Sequence, residues 1–191
     1  MSTPPKTFLS PEQYLDIERK AEFRSEYYQG EMFAMAGATG VHIILTDNLV
    51  LQLGQKLRGG PCRSFSRDMR VQVSATGLYT YPDLVVGCGE RKFLDERCDT
   101  LLNPTLIVEV LSESTEAYDR GKKFSHYRTL ESLQEYVLVS QDRVQVECYK
   151  RQPGGQWLLT AANRLEETIA LESVACTLRL ADIYEDVELP A

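Results

Sequence analysis

The run Thr105-Leu106-Ile107-Val108-Glu109-Val110-Leu111 constrains the fold of this chain more than any other segment. β-Branched residues at this density favour an extended backbone. A nearly continuous apolar run, in place of strict alternation, predicts a central strand covered on both faces. One carboxylate interrupts it. Glu109 is in phase with Ile107 and Leu111, so it shares their side of the strand. A carboxylate there is costly to desolvate unless it is paired, hydrogen-bonded or on a metal. The alternative is an edge strand with Glu109 facing solvent, and the apolar residues in phase with it argue against that.

The segments around this strand supply helices and further strands. Ser10-Pro11-Glu12-Gln13 opens a helix reaching about Lys20, with Ser10 as cap and Gln13 at the capping-box position. Residues 22–28 and 31–36 flank Gln29-Gly30 and read as a hairpin. From Val41 to about Leu57, apolar residues recur at 41, 45, 49, 53 and 57, which predicts one buried helical stripe. Gly59-Gly60-Pro61 stops it. Arg63 to Val73 reads as a strand pair or bent strand, and Asp83 to Cys88 as a short strand. The charged stretch from Glu90 to Asp99 reads as a surface loop. A helix from about Ser112 to Leu130 precedes strands at 135–140, 143–151 and 157–160, with a short helix near 180–185. This order predicts an α/β (α+β) fold, a mixed β-sheet flanked by helices, with residues 1–191 forming one domain.

Composition narrows the function. The 191 residues are 43% hydrophobic, enough for a core without metal or disulfide staples. Lys and Arg total 21 against 28 Asp and Glu, a net charge of −7, which excludes a globally basic nucleic-acid wrapper but not a local basic site. With two histidines, His42 and His126, one chain cannot build a three-histidine zinc site. Five cysteines, at 62, 88, 98, 148 and 176, form no CxxC unit, so reduced thiols in a cytoplasmic protein are expected. Cys88 and Cys148 lie in strand-like runs, where a thiol serves as a small hydrophobe. The N-terminal stretch reads as neither signal peptide nor anchor, and no run is long and apolar enough for a membrane span.

Two more segments carry possible chemistry. Asp83 follows Tyr81-Pro82 at the start of a strand, where it is either a strand-start residue or part of a site. Asp119, Lys123 and Tyr127 are four apart and line one face if the helix already runs there, although Asp119 also suits an N-cap. A charged solvated face is the ordinary reading of such spacing. Taken together, carboxylates on adjacent strands and a lysine from a neighbouring helix form a kit for phosphodiester hydrolysis. The carboxylates suit a divalent hard cation, Mg2+ or Mn2+, and the lysine suits the attacking water or the charged transition state. A carboxylate-pair glycosidase is the poorer match, because its cleft has no need of a lysine.

The set of segments Arg24-Ser25-Glu26-Tyr27-Tyr28-Gln29-Gly30-Glu31, the helix start at His42, Tyr81-Pro82-Asp83-Leu84-Val85-Val86, Ile107-Val108-Glu109-Val110-Leu111-Ser112, Asp119-Arg120-Gly121-Lys122-Lys123 with Tyr127, and Glu135-Tyr136-Val137-Leu138-Val139 resembles the Uma2 family. That family, formerly a domain of unknown function abundant in cyanobacteria, belongs to the PD-(D/E)XK restriction-endonuclease-like superfamily. The resemblance runs from Leu9 to Tyr184. It implies that Pro82-Asp83 is the PD motif, that Glu109 opens the (D/E)XK motif, and that the basic residue comes from the next helix as Lys123, since Leu111 stands where the motif has lysine. It implies a contribution from Glu26 as well, as a supporting or second-metal ligand.

The resemblance therefore implies a metal-dependent endonuclease acting on nucleic acid, with DNA as the expected substrate, and homodimers able to cut two strands. Asp83 and Glu109 would hold the metal, with the Val110 carbonyl as a further candidate, and Glu26 and Lys123 would complete the catalytic set. His42, Asp119 and Tyr127 are accessory candidates. His42 either meets a phosphate, hydrogen-bonds a site carboxylate, or simply caps and packs its helix; His126 reads as surface. Arg58, Arg63, Arg67 and Arg70, with Arg120, Lys122 and Arg128, either frame a backbone groove or are a solvated surface. Tyr14, Tyr28 and Tyr79 read as exposed aromatics. A nuclease-like fold serving as a catalytically silent binding or scaffolding module is the alternative function.

Overall fold

The computed structural model of the protein describes residues 8–35 and 37–189. The readings of the first seven residues and of Ala36, the expected end of the second hairpin strand, lie outside them. In chain order the elements are α1 (Pro11–Glu18), β1 (Ser25–Tyr28), β2 (Glu31–Ala34), α2 (Gly40–Lys56), β3 (Cys62–Ser66), β4 (Arg70–Val73), β5 (Leu78–Thr80), β6 (Leu84–Cys88), β7 (Thr100–Leu101) and β8 (Leu106–Leu111). There follow α3 (Glu116–Tyr118), a π-helical turn (Asp119–Lys123), α4 (Phe124–Tyr127), β9 (Glu135–Ser140), β10 (Val146–Arg151), β11 (Trp157–Ala162), β12 (Thr168–Leu171), β13 (Cys176–Arg179) and α5 (Leu180–Ile183).

The expected mixed sheet is present, ordered β11-β10-β9-β8-β6-β3, with β8 near its middle. β8 and β9 run parallel, and the helical segment from α3 to α4 makes the crossover that a parallel pair needs. A second sheet, β2-β1-β5-β4-β7, was not legible in the pattern, and the segment expected as a strand pair or bent strand is split between the two sheets, β3 in the first and β4 in the second. Adjacent strands in sequence need not pair, and the three- and two-residue strands β5 and β7 are too short to show a period.

All six residues of β8 are buried. Leu106, Val108 and Val110 pack with Leu45, Leu49 and Leu53 of α2 on one face, and Ile107 and Leu111 pack with Tyr127 and Tyr136 on the other. The stripe of α2, with its apolar residues every fourth position, is therefore what covers one side of the sheet. The capping box of α1 forms as expected: Gln13 N donates to Ser10 Oγ at 3.3 Å and Ser10 N donates to Gln13 Oε1 at 2.8 Å. Gln29 and Gly30 both take positive φ, 49° and 87°, which matches the twist of the β1–β2 hairpin. At Gly30 a Cβ would stand 2.6 Å from Phe8 Cδ1, so this glycine is required twice over.

The cysteine reading needs correction. Cys62 and Cys88 form a disulfide across the antiparallel β3–β6 pair, where they are direct partners. Their separation of 26 residues hid a register that only the folded sheet creates. Cys148 is buried as a thiol, as expected, while Cys98 is exposed and Cys176 half-buried. A bridge closing a loop of this size contributes about 2–4 kcal/mol, so reduction should lower the melting temperature by roughly 5–15 °C. Thermal melts of the protein with and without a strong reductant measure this, and identical melts would show that the bridge carries no stability. Among the described residues, no helix is long and apolar enough to cross a membrane.

Candidate active site

Asp83 sits just before β6, held by two donors. His42, in the first turn of α2, places Nε2 2.8 Å from Asp83 Oδ1. Val110 N donates to Asp83 Oδ2 at 2.8 Å. The β6–β8 register pairs Leu84 with Val108, so continuing it by one residue sets Asp83 opposite Glu109. The hydrogen bond from the Val110 amide anchors the carboxylate there. Of the roles open to His42, the structure selects the hydrogen bond to the site carboxylate. The helix is capped by Thr39, whose Oγ1 accepts from His42 N at 3.2 Å.

Glu109 is only 3% exposed and lies on the Ile107–Leu111 side, as its phase predicts. Tyr127 OH donates to Glu109 Oε1 at 2.8 Å. Lys123 Nζ lies 2.9 Å from the same oxygen, 3.3 Å from Asp119 Oδ1 and 3.6 Å from Glu26 Oε1. Asp119, Lys123 and Tyr127 are all buried on one face, while the neighbouring Arg120 turns outward to Glu116 and Glu147. Asp119 is not an N-cap but opens the π-helical turn, and Tyr136 OH donates to its carbonyl at 3.1 Å. Such wide turns recur where a helix must aim side chains into a site. Glu26, on β1, accepts from Thr80 Oγ1. Sequence reasoning missed Thr80, Tyr136 and the π turn, none of which carries a local signal.

Burial pushes Glu109 up to about 8; Lys123 opposes that shift, and the nearby carboxylates Asp119 and Asp83 add to it. Burial likewise raises Asp119, again against Lys123. Burial works against the charge of Lys123, but Glu109, Asp119 and Glu26 together outweigh it and hold the ammonium well above its ordinary value. The cluster thus has a fixed cation and a surplus of carboxylate.

These residues line a cleft of about 1160 Å³ together with Asp83, His42, Phe23, Arg24, Phe33 and Arg67. Asp83 and Glu109 offer hard oxygen ligands from adjacent backbone positions. Among the described residues no group of three or more His, Cys, Asp or Glu stands close enough to hold a metal ion by itself. Two carboxylates nonetheless fit Mg2+, which characteristically keeps several waters and takes remaining ligands from substrate phosphate.

Behind Asp83 lies a buried polar relay that the sequence did not reveal. Arg70 Nε donates to Tyr81 OH at 2.9 Å, and Tyr81 OH donates to Glu18 Oε1 at 2.9 Å. Glu18 also accepts from Ser25 N at 3.0 Å, and Arg70 reaches Thr100 Oγ1 at 3.0 Å. Tyr81 is two residues from Asp83, so this relay ties the β5–β6 link to α1, β1 and β4. Arg70 is therefore core, not part of a phosphate groove, and Arg120 is consumed by its two carboxylates. Tyr14 and Tyr79, expected outside, are buried with Tyr27 in a three-ring cluster. His126 is buried too, edge-on to Tyr28 with centroids 4.9 Å apart. In each case a short amphipathic segment gave no hint of the second sheet that covers it.

Comparison with known proteins agrees with this architecture. The Uma2 family profile, described as "Putative restriction endonuclease", matches residues 11–181. The chain is 37% identical over 180 residues to the uncharacterized protein slr1290 of Synechocystis sp., covering 92% of this chain and 91% of that one. It is 40% identical over 152 residues to the uncharacterized protein sll1609 of the same organism, covering 80% and 86%. A crystal structure described as a putative nuclease belonging to DUF820 from Anabaena variabilis ATCC 29413 superposes with a TM-score of 0.74 at 20% identity, covering 91% of this chain and 96% of that one. A profile match over nearly the whole described fold, with curated relatives aligned along most of their length, places this chain in the Uma2 family, with a restriction-endonuclease-like fold.

Proposed function

We propose that the protein is a Mg2+-dependent endonuclease that hydrolyses phosphodiester bonds, with DNA as the first substrate to test. The observation that carries this reading is the Lys123 ammonium held 2.9 Å from Glu109 in the same cleft that Asp83 lines. Asp83 and Glu109 would hold the cation, which when bound polarises the phosphodiester and lowers the pKa of its water. His42 and the Val110 amide fix the Asp83 carboxylate, so its position costs no reorganisation. Tyr127 orients Glu109 through Oε1. Lys123 Nζ keeps its proton and presents positive charge to the attacking oxygen or to the phosphoryl oxygens as charge builds. Glu26 and Asp119 fix that ammonium from its other sides. Mn2+ has the same preference for oxygen ligands and is expected to substitute.

The proposal includes a cytoplasmic location, one domain that carries the whole activity, and homodimer formation if both strands of a duplex are cut. Isothermal titration with Mg2+ or Mn2+, alongside cleavage of plasmid, linear and single-stranded substrates, tests the core of it. Asp83→Asn should abolish metal binding and lower cleavage by at least about 100-fold, the loss typical of one removed charge-stabilising group. Absence of cleavage with either metal, and the same background in Asp83→Asn, would leave the fold as a binding module.

A further inference from the structure

Beside the catalytic cleft lies a smaller cavity of about 200 Å³, lined by Glu26, Tyr28, Phe33, Leu78, Tyr118 and Lys122. Its construction follows from the β1–β2 hairpin. Glu26 and Phe33 are direct cross-strand partners, so their side chains share one face. Tyr28 is two residues from Glu26 and joins that face. Tyr118 and Lys122 come from the helical crossover. The result is a slot with aromatic walls, one carboxylate, and an ammonium 5.0 Å from the centroid of the Tyr28 ring. Among the described residues Lys122 forms no ion pair, in contrast to Lys123 next to it. Phe33 is 48% exposed and belongs to both the slot and the cleft, as do Glu26 and Tyr118. The slot therefore adjoins the cleft that carries Asp83, Glu109 and Lys123.

The charge of the cleft decides what can occupy it. Its lining carries seven carboxylates against three permanent cations, one of which, Arg24, is paired with Asp68 at 3.4 Å, so a divalent cation on Asp83 and Glu109 narrows the acidic surplus without removing it. Phosphate attraction alone cannot hold a duplex against such a wall, and a duplex hides the faces of its bases. A single strand offers those faces. Stacking on aromatic side chains is worth enough per base to replace the missing electrostatic term, and it is indifferent to sequence. Phe23, 77% exposed and also lining the cleft, offers a further aromatic face. We infer that the slot binds an unpaired nucleobase next to the scissile phosphate, with Lys122 facing that nucleotide's phosphate, so the substrate is a single-stranded nucleic acid. This inference rests on the nuclease reading above and specifies its substrate.

The test is fluorescence anisotropy on the full chain in calcium buffer, with a labelled mixed-sequence single strand and with its annealed duplex, while gels follow any cleavage. The single strand should bind at least tenfold more tightly than the duplex. Phe33→Ala should weaken strand binding about tenfold, and Phe33→Trp, which keeps a stacking face, should restore it. Because Phe33 is half exposed, neither change threatens the fold. Equal affinity for the two forms, no measurable strand binding, or a Phe33→Ala protein that binds the strand normally would overturn the inference. So would a mononucleotide competing as well as the strand. Binding is read without hydrolysis, so the two readings fail separately. Efficient duplex cleavage without strand preference sinks only this one, and strand-selective binding without cleavage in Mg2+ or Mn2+ sinks only the nuclease reading.

Discussion

Replacing Lys123 with methionine is expected to cost about 3–5 kcal/mol of stability, because it leaves buried carboxylates without their cation. Glu109 and Asp119 both face that ammonium, at 2.9 and 3.3 Å, and both are shielded from water. For a chain of this size the melting temperature should fall by roughly 6–20 °C. The companion variant Lys123→Met with Glu109→Gln should recover much of the loss, because the surviving buried charge is reduced. Urea unfolding of wild type, the two single variants and the double variant gives the coupling energy directly. Equal midpoints for wild type and Lys123→Met would mean that the ammonium is not the electrostatic centre of the cluster. Cleavage measured well below the lowered melting point should fall by a further factor of about 100 or more, if Lys123 stabilises the transition state.

The second large effect is expected at Arg70, which does not itself line the cleft but hydrogen-bonds Tyr81, which does. Arg70→Ala removes a buried cation that donates to Tyr81 and Thr100 and lies over the Tyr14 and Tyr81 rings, with centroids 5.6 and 5.2 Å away. Glu18 then remains fully buried, held by Tyr81 and one amide but without the neighbouring positive charge. A loss of about 3–5 kcal/mol is expected, comparable to breaking a buried pair. Tyr81→Phe is the milder probe. It leaves the ring in place but strips Glu18 and Arg70 of their shared partner, at about 1–3 kcal/mol. A purely structural relay would change stability alone. A relay that positions the strand start carrying Asp83 would also weaken metal binding in Tyr81→Phe at temperatures where the protein stays folded. Calorimetric titration of that variant distinguishes the two, and unchanged metal affinity would confine the relay to stability.

These two positions differ sharply in how far the sequence announced them. Lys123 stands out because its segment resembles the Uma2 pattern; the spacing of four places Asp119, Lys123 and Tyr127 on one face but by itself also suits a solvated helix. Local periodicity gives the shared face, and Glu109 interrupting an apolar strand gives the buried carboxylate. Arg70 read instead as part of a basic surface, since nothing near it in sequence shows that α1, β5 and β7 close over it. Its burial arises from partners 11 and 30 residues away. Cys62 and Cys88 are the same kind of case, brought opposite each other only by the β3–β6 register.

By itself, the sequence determined the capped start of α1, the β1–β2 hairpin, the buried stripe of α2 and the central place of β8. Each rests on a period, a cap or a turn within a few residues, where backbone geometry alone sets direction, whereas the acid–acid–lysine kit is read from the resemblance of its segments to the Uma2 pattern. Only the tertiary structure decided which carboxylate each donor meets: His42 on Asp83, Tyr127 on Glu109, Thr80 on Glu26. It also decided that the strands form two principal sheets, that Arg70 and His126 are interior, and that an aromatic slot adjoins the acidic cleft. Such pairings form between segments distant in the chain, and their free energy comes from burial and charge compensation that exist only once the sheets close.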